Sequence, residues 1–408
     1  MKPTGPIPAG YETLDGELAI GGRTVSQLVE DAGETPLFVY SRRLLDQRMA
    51  DLRAVMPDRL AIHYAVKANP HDNVIRHMAG LVDGFDIASG GELAIMQRLG
   101  MDAGPISFAG PGKRDRELDA AIMAGATLNL ESESEAERAL AIAAKNGMTP
   151  RLAIRVNPDF EMKGSGMKMG GGAKPFGVDA ERVPELGRQI IAAGADFRGL
   201  HIYTGSQALS AESLIETQGN VLDLATRLTD EIGVDLPKLN MGGGFGIPYF
   251  DKDQPLDITA IGAGLEQRFA NLPPRLANTH LCIELGRYLV GEAGVYLTRI
   301  LDRKVSHGES YLVTDGGLHH QLAASGNFGT VIRRNYPVAI ANRFEAAPIE
   351  VASIVGCLCT PLDRLLDKAH LPRAEVGDLV AVFCAGAYGA TASPSAFLGQ
   401  GPALELLV

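Results

Sequence analysis

The chain contains 408 residues, of which 46% are hydrophobic and 21% charged, and it carries a formal net charge of −11. This length favours one large domain with a smaller one, and the composition is that of an ordinary soluble globular protein. The acidic balance argues against nucleic-acid binding, because no basic stripe is available to neutralise phosphates. No segment has the pattern of a membrane span or a secretion signal, so we expect a cytoplasmic protein.

The four cysteines, at positions 282, 357, 359 and 384, are too few for a disulfide framework and suit a reducing compartment. Cys357 and Cys359 have C-x-C spacing without a second pair or a nearby histidine, so we expect no metal site. Candidate chemistry must therefore come from other residue types.

The predicted elements begin with a hairpin in "YETLDGELAIGG", around Asp15-Gly16, followed by a helix in "SRRLLDQRMADLRAVM". From residue 60 to about 288, apolar strands alternate with helices that end at glycine, such as "GGELAIMQRLG". The strands that we predict are 60–66, 83–87, 105–109, 127–130, 152–156, 197–203, 237–241 and 280–284. Eight strands with helices between them predict an α/β protein with a (β/α)8 TIM barrel.

After residue 290 the pattern changes to alternating apolar segments such as "YLVTD", "IEVASIVG" and "DLVAVFCAG". Such segments, separated by loops, predict a mostly β domain. We therefore expect a barrel over residues 30–290 and a β-rich domain made of residues 1–29 with 291–408.

Polar or glycine-rich clusters lie at the carboxyl ends of six of the predicted barrel strands, where such barrels hold their active sites. Lys67 follows the first strand, and it is either a solvated terminus or an amine whose lowered pKa makes it a nucleophile toward carbonyls. A solvated terminus explains any one cluster but does not explain six on one face. The clusters contain Lys67, Asp86, Arg155, Tyr203 to Ser206, Gly242 to Gly244, and Glu284 to Arg287.

The glycine run "MGGGFG" is either a tight turn or a place where backbone N–H groups approach an anion. A strand-end lysine beside a phosphate site suggests a phosphorylated carbonyl compound, and pyridoxal phosphate fits that description. Glu284 would then face the pyridine nitrogen and keep it protonated. The alternative for Glu284 is an ion pair with a helix cation.

Six segments resemble, in order, the motifs of the pyridoxal-phosphate decarboxylases of the diaminopimelate and ornithine decarboxylase family, which have fold type III and an alanine racemase-like barrel. They are "HYAVKANP", "DIASGGEL", "GLHIYTGSQ", "LNMGGGFG", "IELGRYLV" and "GAYGATASPSAF". In addition, "MKPTGPIPAGYE", "FAGPGKRD" and "GCLCTPLD" are similar to the branch associated with exosortase and exopolysaccharide gene clusters. That branch is related to decarboxylases that act on carrier-protein-linked glutamate.

The resemblance implies that Lys67 forms the Schiff base with the cofactor and that Cys359, donated by the partner subunit, returns a proton to the product carbon. It therefore implies a homodimer with shared active sites, although Cys359 taken alone is as well explained as a core cysteine. The predicted cofactor contacts are Lys67, Asp86, Arg155, Tyr203, Ser206, Gly243, Gly244, Glu284, Gly286, Arg287 and Tyr388. The predicted substrate contacts are Arg287, Thr360, Asp363, His319 and Tyr388.

One departure from the family bears on the substrate. The family places an acid after the cysteine to bind the distal ammonium of a diamino substrate, and this chain has Thr360 there. A buried ammonium without that partner loses on the order of 2–5 kcal/mol, which disfavours a free diamine by roughly 30-fold or more. Asp363 is no substitute, because the family keeps an acid at that position too.

Two further departures concern the pocket. Gln400 and the pair His319-His320 stand where the diaminopimelate enzymes have arginines, which indicates either a loop surface or a reshaped distal pocket. The family's stacking histidine is replaced by Tyr203, while His201 is expected on the same face of the strand. The glycine-rich segment 161–177 is either a surface loop or a lid over the barrel mouth.

The sequence thus predicts an amino-acid α-decarboxylase that releases CO2 from an external aldimine. Its substrate would be a small amino acid other than a free diamine, glutamate-like or tethered to an acyl carrier protein. The alternatives are a diaminopimelate decarboxylase proper, a racemase with the same barrel and cofactor, and a catalytically silent regulatory homologue.

Overall fold

The structure is a computed structural model that describes residues 1–164, 166–326 and 333–408. The chain divides into two compact units. The β-rich unit contains Met1–Arg48, Ile247–Pro255 and Arg287–Val408. The barrel unit contains Met49–Gly246 and Leu256–Gly286.

The N-terminal elements begin with the predicted hairpin, which is confirmed. Its turn residues Asp15 and Gly16 have φ angles of 54° and 78°, the left-handed conformation that a tight two-residue hairpin turn requires. The first helix is capped by Thr24, which accepts a hydrogen bond from the Gln27 N–H. The elements are β1 (Glu12–Leu14), β2 (Glu17–Ile20), β3 (Arg23–Thr24), α1 (Val25–Ala32), β4 (Leu37–Tyr40) and α2 (Arg42–Val55).

The strands of the barrel unit are β5 (Leu60–Ala65), β6 (Gly84–Ile87), β7 (Ile106–Phe108), β8 (Thr127–Leu130), β9 (Arg151–Asn157), β10 (Met167–Lys168), β11 (Val178–Asp179), β12 (Asp196–Ile202), β13 (Gly205–Ser206), β14 (Lys238–Asn240) and β15 (His280–Leu285). Eight of them pair in parallel in the order β5, β6, β7, β8, β9, β12, β14 and β15, and β15 returns to β5. The predicted barrel is therefore confirmed, with each predicted strand within one residue of the observed one at either end.

Helices follow most of these strands and carry local start and stop signals. Ser89 and Ser132 cap two of them by accepting the N–H of the residue three positions on. Gly125 and Gly147 each end a helix in the left-handed conformation. The helices are α3 (Asp72–Met78), α4 (Gly90–Arg98), α5 (Asp115–Ala124), α6 (Glu133–Asn146), α7 (Val183–Ala192), α8 (Ala211–Ile232) and α9 (Ile258–Phe269).

The β-rich unit continues with α10 (Arg287–Val290), β16 (Gly294–Ser306), β17 (Glu309–Thr314), β18 (Val338–Ile340), β19 (Glu350–Val355), β20 (Arg364–Leu371), β21 (Leu379–Val382) and β22 (Leu404–Leu407). Its sheet has the order β18, β21, β16, β17, β19 and β20, and β4 joins β16 to β22. The predicted β-rich character is confirmed. Buried side chains of the N-terminal hairpin, α1 and β4 pack with those of β16 and β21 in one core, which includes Leu18, Leu28, Leu37, Val295 and Phe383.

None of the described helices combines the length and the apolar character that crossing a bilayer requires.

Candidate active site

A cavity of about 200 Å³ opens at the carboxyl ends of the barrel strands. Of the residues predicted from the sequence, it brings together Lys67, Asp86, Arg155, Tyr203 and Glu284. The remaining lining residues are Ala65, Ile87, Ala88, Ala109, Gly110, Pro111, Met169, Phe176 and His201. The predicted convergence of polar side chains at one end of the barrel is thus present in the structure.

Lys67 lies in a single 3₁₀ turn, Val66–Ala68, that begins where β5 ends. The hydroxyl of Tyr64 donates a hydrogen bond to the carbonyl of Asn69 at 2.8 Å, which holds the end of this turn against β5. The Lys67 amine is half-buried, and its Nζ lies 5.5 Å from the centre of the Tyr203 ring. The lysine is therefore a side chain of the cavity wall.

Glu284 is buried near the end of β15. Its Oε2 accepts a hydrogen bond from Asn240 Nδ2 at 3.0 Å and lies 3.1 Å from His201 Nε2. Burial alone raises the pKa of Glu284, but the contact with His201 and the charges of Lys67 and Arg155 outweigh burial and hold that pKa well below its usual range. The site therefore contains an ionised carboxylate at neutral pH.

A chain of buried polar contacts continues from Glu284 into the barrel interior. Asn240 Nδ2 also lies 3.3 Å from Asp86 Oδ1, and Asp86 Oδ2 lies 3.0 Å from His63 Nδ1. His63 Nε2 is 3.2 Å from Lys238 Nζ, so Nε2 accepts there and Nδ1–H donates to Asp86. His63 and Asn240 were not among the residues predicted from the sequence, although a polar residue inside the apolar segment "LAIHYAV" was an available signal.

His201 and Tyr203, between which the sequence did not decide, both line the cavity. His201 is 1% exposed, and its Nε2 lies 3.1 Å from Glu284 Oε2, while its Nδ1 has no hydrogen-bond partner among the described residues. A buried ring nitrogen without a partner is costly unless a ligand completes its contacts. His201 therefore belongs with Lys67 and Glu284 in the candidate site.

The predicted phosphate-binding residues Ser206, Gly243 and Gly244, with Gly286, lie at the same end of the barrel but outside the cavity lining. A Cβ on Gly243 would lie 1.9 Å from the Glu284 carbonyl oxygen, so close packing of strand ends requires glycine there. Gly244 has a φ of +83°. Neither glycine's N–H has an acceptor among the described residues, which leaves both amides available to an anion.

Arg287 and Tyr388 lie in the β-rich unit and contact each other. The Arg287 guanidinium lies 4.8 Å from the centre of the Tyr388 ring, and its Nη1 donates a hydrogen bond to the Tyr249 hydroxyl at 2.6 Å. Its Nε is buried and has no hydrogen-bond partner among the described residues. Burial raises the pKa of Tyr249 to about 12 despite the arginine, so Tyr249 stays protonated.

Asp363 is buried, and both of its carboxylate oxygens already accept backbone N–H groups, from Leu318 at 2.7 Å and from Leu358 at 2.9 Å. It thereby ties the segment before His319 to the segment before Cys359. Cys359 is exposed on this chain, and Thr360 is half-buried. The structure thus gives Asp363 a local structural role that the sequence did not indicate.

His319 is fully buried, and neither of its ring nitrogens has a hydrogen-bond partner among the described residues. Its ring centre lies 3.9 Å from that of His320, which contacts Tyr296 and the carbonyl of Gly401. The loop-surface interpretation of this pair is therefore wrong, because both histidines are inside the β-rich unit.

The fold and the site define a class: a (β/α)8-barrel enzyme with a lysine at the end of its first strand and a buried ionised glutamate at the end of its last. Residues 42–291 match the family model described as "pyridoxal-dependent decarboxylase, pyridoxal binding domain". The chain belongs to this family of decarboxylases, and its cofactor is pyridoxal phosphate.

Three relatives illustrate the similarity. The chain is 35% identical over 380 residues to the L-glutamyl-[BtrI acyl-carrier protein] decarboxylase of Niallia circulans, covering 92% of this chain and 89% of that one. It is 33% identical to the diaminopimelate decarboxylase of Archaeoglobus fulgidus, covering 98% and 93%. The crystal structure of diaminopimelate decarboxylase from Helicobacter pylori complexed with L-lysine has a TM-score of 0.81 at 26% identity, with 94% of each chain covered.

The residues present fit this cofactor. An amine, an ionised buried carboxylate and a buried histidine meet in the cavity, and two backbone amides that have no acceptor among the described residues lie at the same end of the barrel. These are the groups that an aldehyde, a pyridine nitrogen and a phosphate require.

Proposed function

We propose that this decarboxylase removes the α-carboxylate of an amino acid whose distal end is neutral, a glutamate-like acyl unit attached to a carrier protein. One observation carries the proposal. Where the family has an acid for a distal ammonium, this chain has Thr360, and the nearby carboxylate of Asp363 is already occupied by two backbone N–H groups. A distal ammonium would therefore lack a partner.

The two histidines support the same choice. Burial lowers the pKa of His319 and lowers that of His320 to about 4, so both are uncharged at neutral pH. They stand where the diaminopimelate enzymes are expected to have a cation for the distal carboxylate. Neutral side chains at both positions favour an uncharged acyl group over a carboxylate paired with an ammonium.

Pyridoxal phosphate supplies, when bound, an aldehyde that condenses with amines and a ring that withdraws electrons from Cα of the substrate. In this proposal Lys67 holds the cofactor, and the Glu284 carboxylate holds a proton at the pyridine nitrogen. Ser206 and the amides of Gly243 and Gly244 would bind the phosphate. Tyr203 and His201 would flank the ring, and Asp86, Arg155 and Gly286 would complete the barrel's contacts with the cofactor.

Cys359 would return a proton to Cα after CO2 has left. Its exposure on the single chain supports donation to the active site of a partner subunit, because a thiol on the surface of one chain can be buried against another. The proposal therefore includes a homodimer with shared active sites.

The relatives support more than one substrate. The protein of Niallia circulans is named for a carrier-linked glutamyl substrate, whereas the one of Archaeoglobus fulgidus is named for diaminopimelate. Diaminopimelate is thus the second candidate, favoured by overall similarity and opposed by Thr360.

The test is CO2 release by the pure enzyme loaded with pyridoxal phosphate. The substrates are meso-diaminopimelate, ornithine, lysine, free glutamate and a glutamyl thioester of an acyl carrier protein. We expect turnover of the glutamyl thioester well above that of every free diamine. Fast turnover of diaminopimelate, or of another free diamine, would refute the argument from Thr360.

A further inference from the structure

We infer that Glu131, which the sequence analysis did not select, is a positioning residue that fixes one wall of the cavity. The inference deepens the proposed function, because the wall belongs to the same site. Glu131 follows β8 directly, is 7% exposed and does not itself line the cavity.

The carboxylate of Glu131 joins three separate pieces of the barrel. Its Oε1 accepts hydrogen bonds from Arg155 Nη1 at 2.8 Å and from the Gly110 N–H at 2.6 Å. Its Oε2 accepts the Gly177 N–H at 2.7 Å. Gly110 lies in the loop after β7, Arg155 on β9, and Gly177 at the end of the glycine-rich segment 161–177. One side chain thus sets the spacing of three neighbouring elements.

All three pieces form the cavity wall. Gly110 and Arg155 line the cavity directly, and so does Phe176, the neighbour of Gly177. The Arg155 guanidinium carbon lies 4.9 Å from the centre of the Phe176 ring. Displacing the Glu131 carboxylate would therefore release Arg155, the Phe176 ring and the Gly110 loop together. The hydrogen bond from the Gly177 N–H to Glu131 anchors the end of the glycine-rich segment.

The geometry requires a carboxylate. Glutamine offers one side-chain oxygen as an acceptor, while its NH2 group would face an N–H donor. The side-chain oxygen of glutamine can accept either from Gly177 or from Arg155 and Gly110. The N–H groups on the other side then have no acceptor. The buried arginine would also lose its counter-charge.

The matched control is Glu135→Gln. Glu135 is also buried and also pairs with a cation, Lys113, at 2.7 Å, but it contacts neither Arg155 nor Gly177. Its Oε1 also accepts the Glu131 N–H at 3.4 Å, a contact that the side-chain oxygen of glutamine can keep. Lys113 also donates to the carbonyls of Gly110 and Asn129, and those contacts remain in the variant. The two substitutions thus remove the same charge from the same unit, but only Glu131→Gln removes direct contacts with Arg155 and Gly177.

The first measurement is hydrogen–deuterium exchange of the full chain, read in the peptide that contains Gly177. The second is the Kd for pyridoxal phosphate from absorbance titration. We expect Glu131→Gln to raise both the exchange rate and the Kd by about 10-fold, and Glu135→Gln to change neither. Equal changes of exchange rate and Kd in both variants would mean that Glu131 only stabilises the barrel in general, and they would overturn the inference. An exchange rate and a Kd equal to those of the wild type in Glu131→Gln would also overturn it.

Should Glu131→Gln fail to fold, Glu131→Asp is the second variant, because it keeps the charge but withdraws it by one methylene. We expect the same rise in Gly177 exchange at smaller amplitude, and unchanged exchange would overturn the inference. Neither measurement depends on which amino acid is decarboxylated. A failure of the carrier-linked substrate in the turnover assay therefore refutes the proposed function and leaves this inference standing.

Discussion

Replacing Glu284 with glutamine tests the electrostatic centre of the site. The substitution keeps the size of the side chain and keeps one acceptor for Asn240 Nδ2, which now lies 3.0 Å from Oε2. It removes the negative charge that faces His201, 3.1 Å away, and that interacts with Lys67 and Arg155. The variant therefore isolates charge from packing.

The expected size of the effect follows from burial. Removing one partner from a buried, hydrogen-bonded charge cluster costs about 2–5 kcal/mol. We expect the apo protein to lose about that much free energy of unfolding at pH 7. Removing a single preorganised electrostatic group from an active site lowers kcat by about 10²–10³-fold, and we expect a decrease in that range for the loaded enzyme.

The dependence on pH gives a second check. The folded-state pKa of Glu284 is lowered, so its contribution to stability is complete above the unfolded-state pKa of about 4.3 and is lost as the pH falls toward the lowered value. The free energy of unfolding of the wild type should therefore exceed that of Glu284→Gln by a constant amount between pH 7 and pH 5. Below about pH 4.3 this difference should become smaller, by up to about 1.4 kcal/mol per pH unit.

The assay is chemical denaturation of both apo proteins across this pH range, with kcat measured separately at pH 7. Glu135→Gln is the control for losing a buried glutamate outside the cavity lining. A wild-type kcat in Glu284→Gln would refute the role at the cofactor ring. A stability difference that did not narrow on acidification would refute the lowered pKa.

Three further predictions address the dimer, the substrate and the fold. Lys67→Ala and Cys359→Ser should each be nearly inactive alone. If the two subunits share active sites, mixing the variants should restore about a quarter of wild-type CO2 release. No recovery of activity after subunit exchange would contradict shared sites. Thr360→Glu should raise kcat/KM for meso-diaminopimelate by about 10-fold or more, and an unchanged value would contradict the distal-charge argument. Gly199→Ala should lower Tm by several degrees, because its φ is +105° and a Cβ would meet the Lys238 carbonyl oxygen at 1.9 Å; a wild-type Tm would contradict that packing.

Much of the barrel was predictable because its signals are local. An apolar segment such as "LAIHYAV" ends in a lysine, and Ser89 or Gly125 marks where a helix begins or ends. Side chains at the carboxyl ends of parallel strands share one face, so Lys67, Arg155 and Glu284 could be placed together from their positions alone.

Other parts of the site depend on contacts between distant segments, and no local pattern reveals these. Glu131 and Gly177 are 46 positions apart, and Asn240 and Asp86 are 154 apart. The sequence also gave no indication that the Asp363 carboxylate accepts two backbone N–H groups. For Gly243, the sequence suggested room for an anion, whereas the structure adds a second requirement, since the Glu284 carbonyl oxygen occupies the place of a Cβ.

The pairing of charges inside the barrel links Glu131 to Glu284. Arg155 makes its ion pair with Glu131 at 2.8 Å, whereas Glu284 contacts Asn240 Nδ2 at 3.0 Å and His201 Nε2 at 3.1 Å. Under the proposed function, the Glu284 carboxylate is then not bound by an arginine and can accept a hydrogen bond from a protonated pyridine nitrogen. If Glu131 were neutralised, Arg155 would lose its ion-pair partner and would be attracted toward Glu284, whose pKa its charge already lowers. We therefore expect Glu131 to hold the arginine in the cavity wall, which leaves Glu284 available for its proposed role at the cofactor ring.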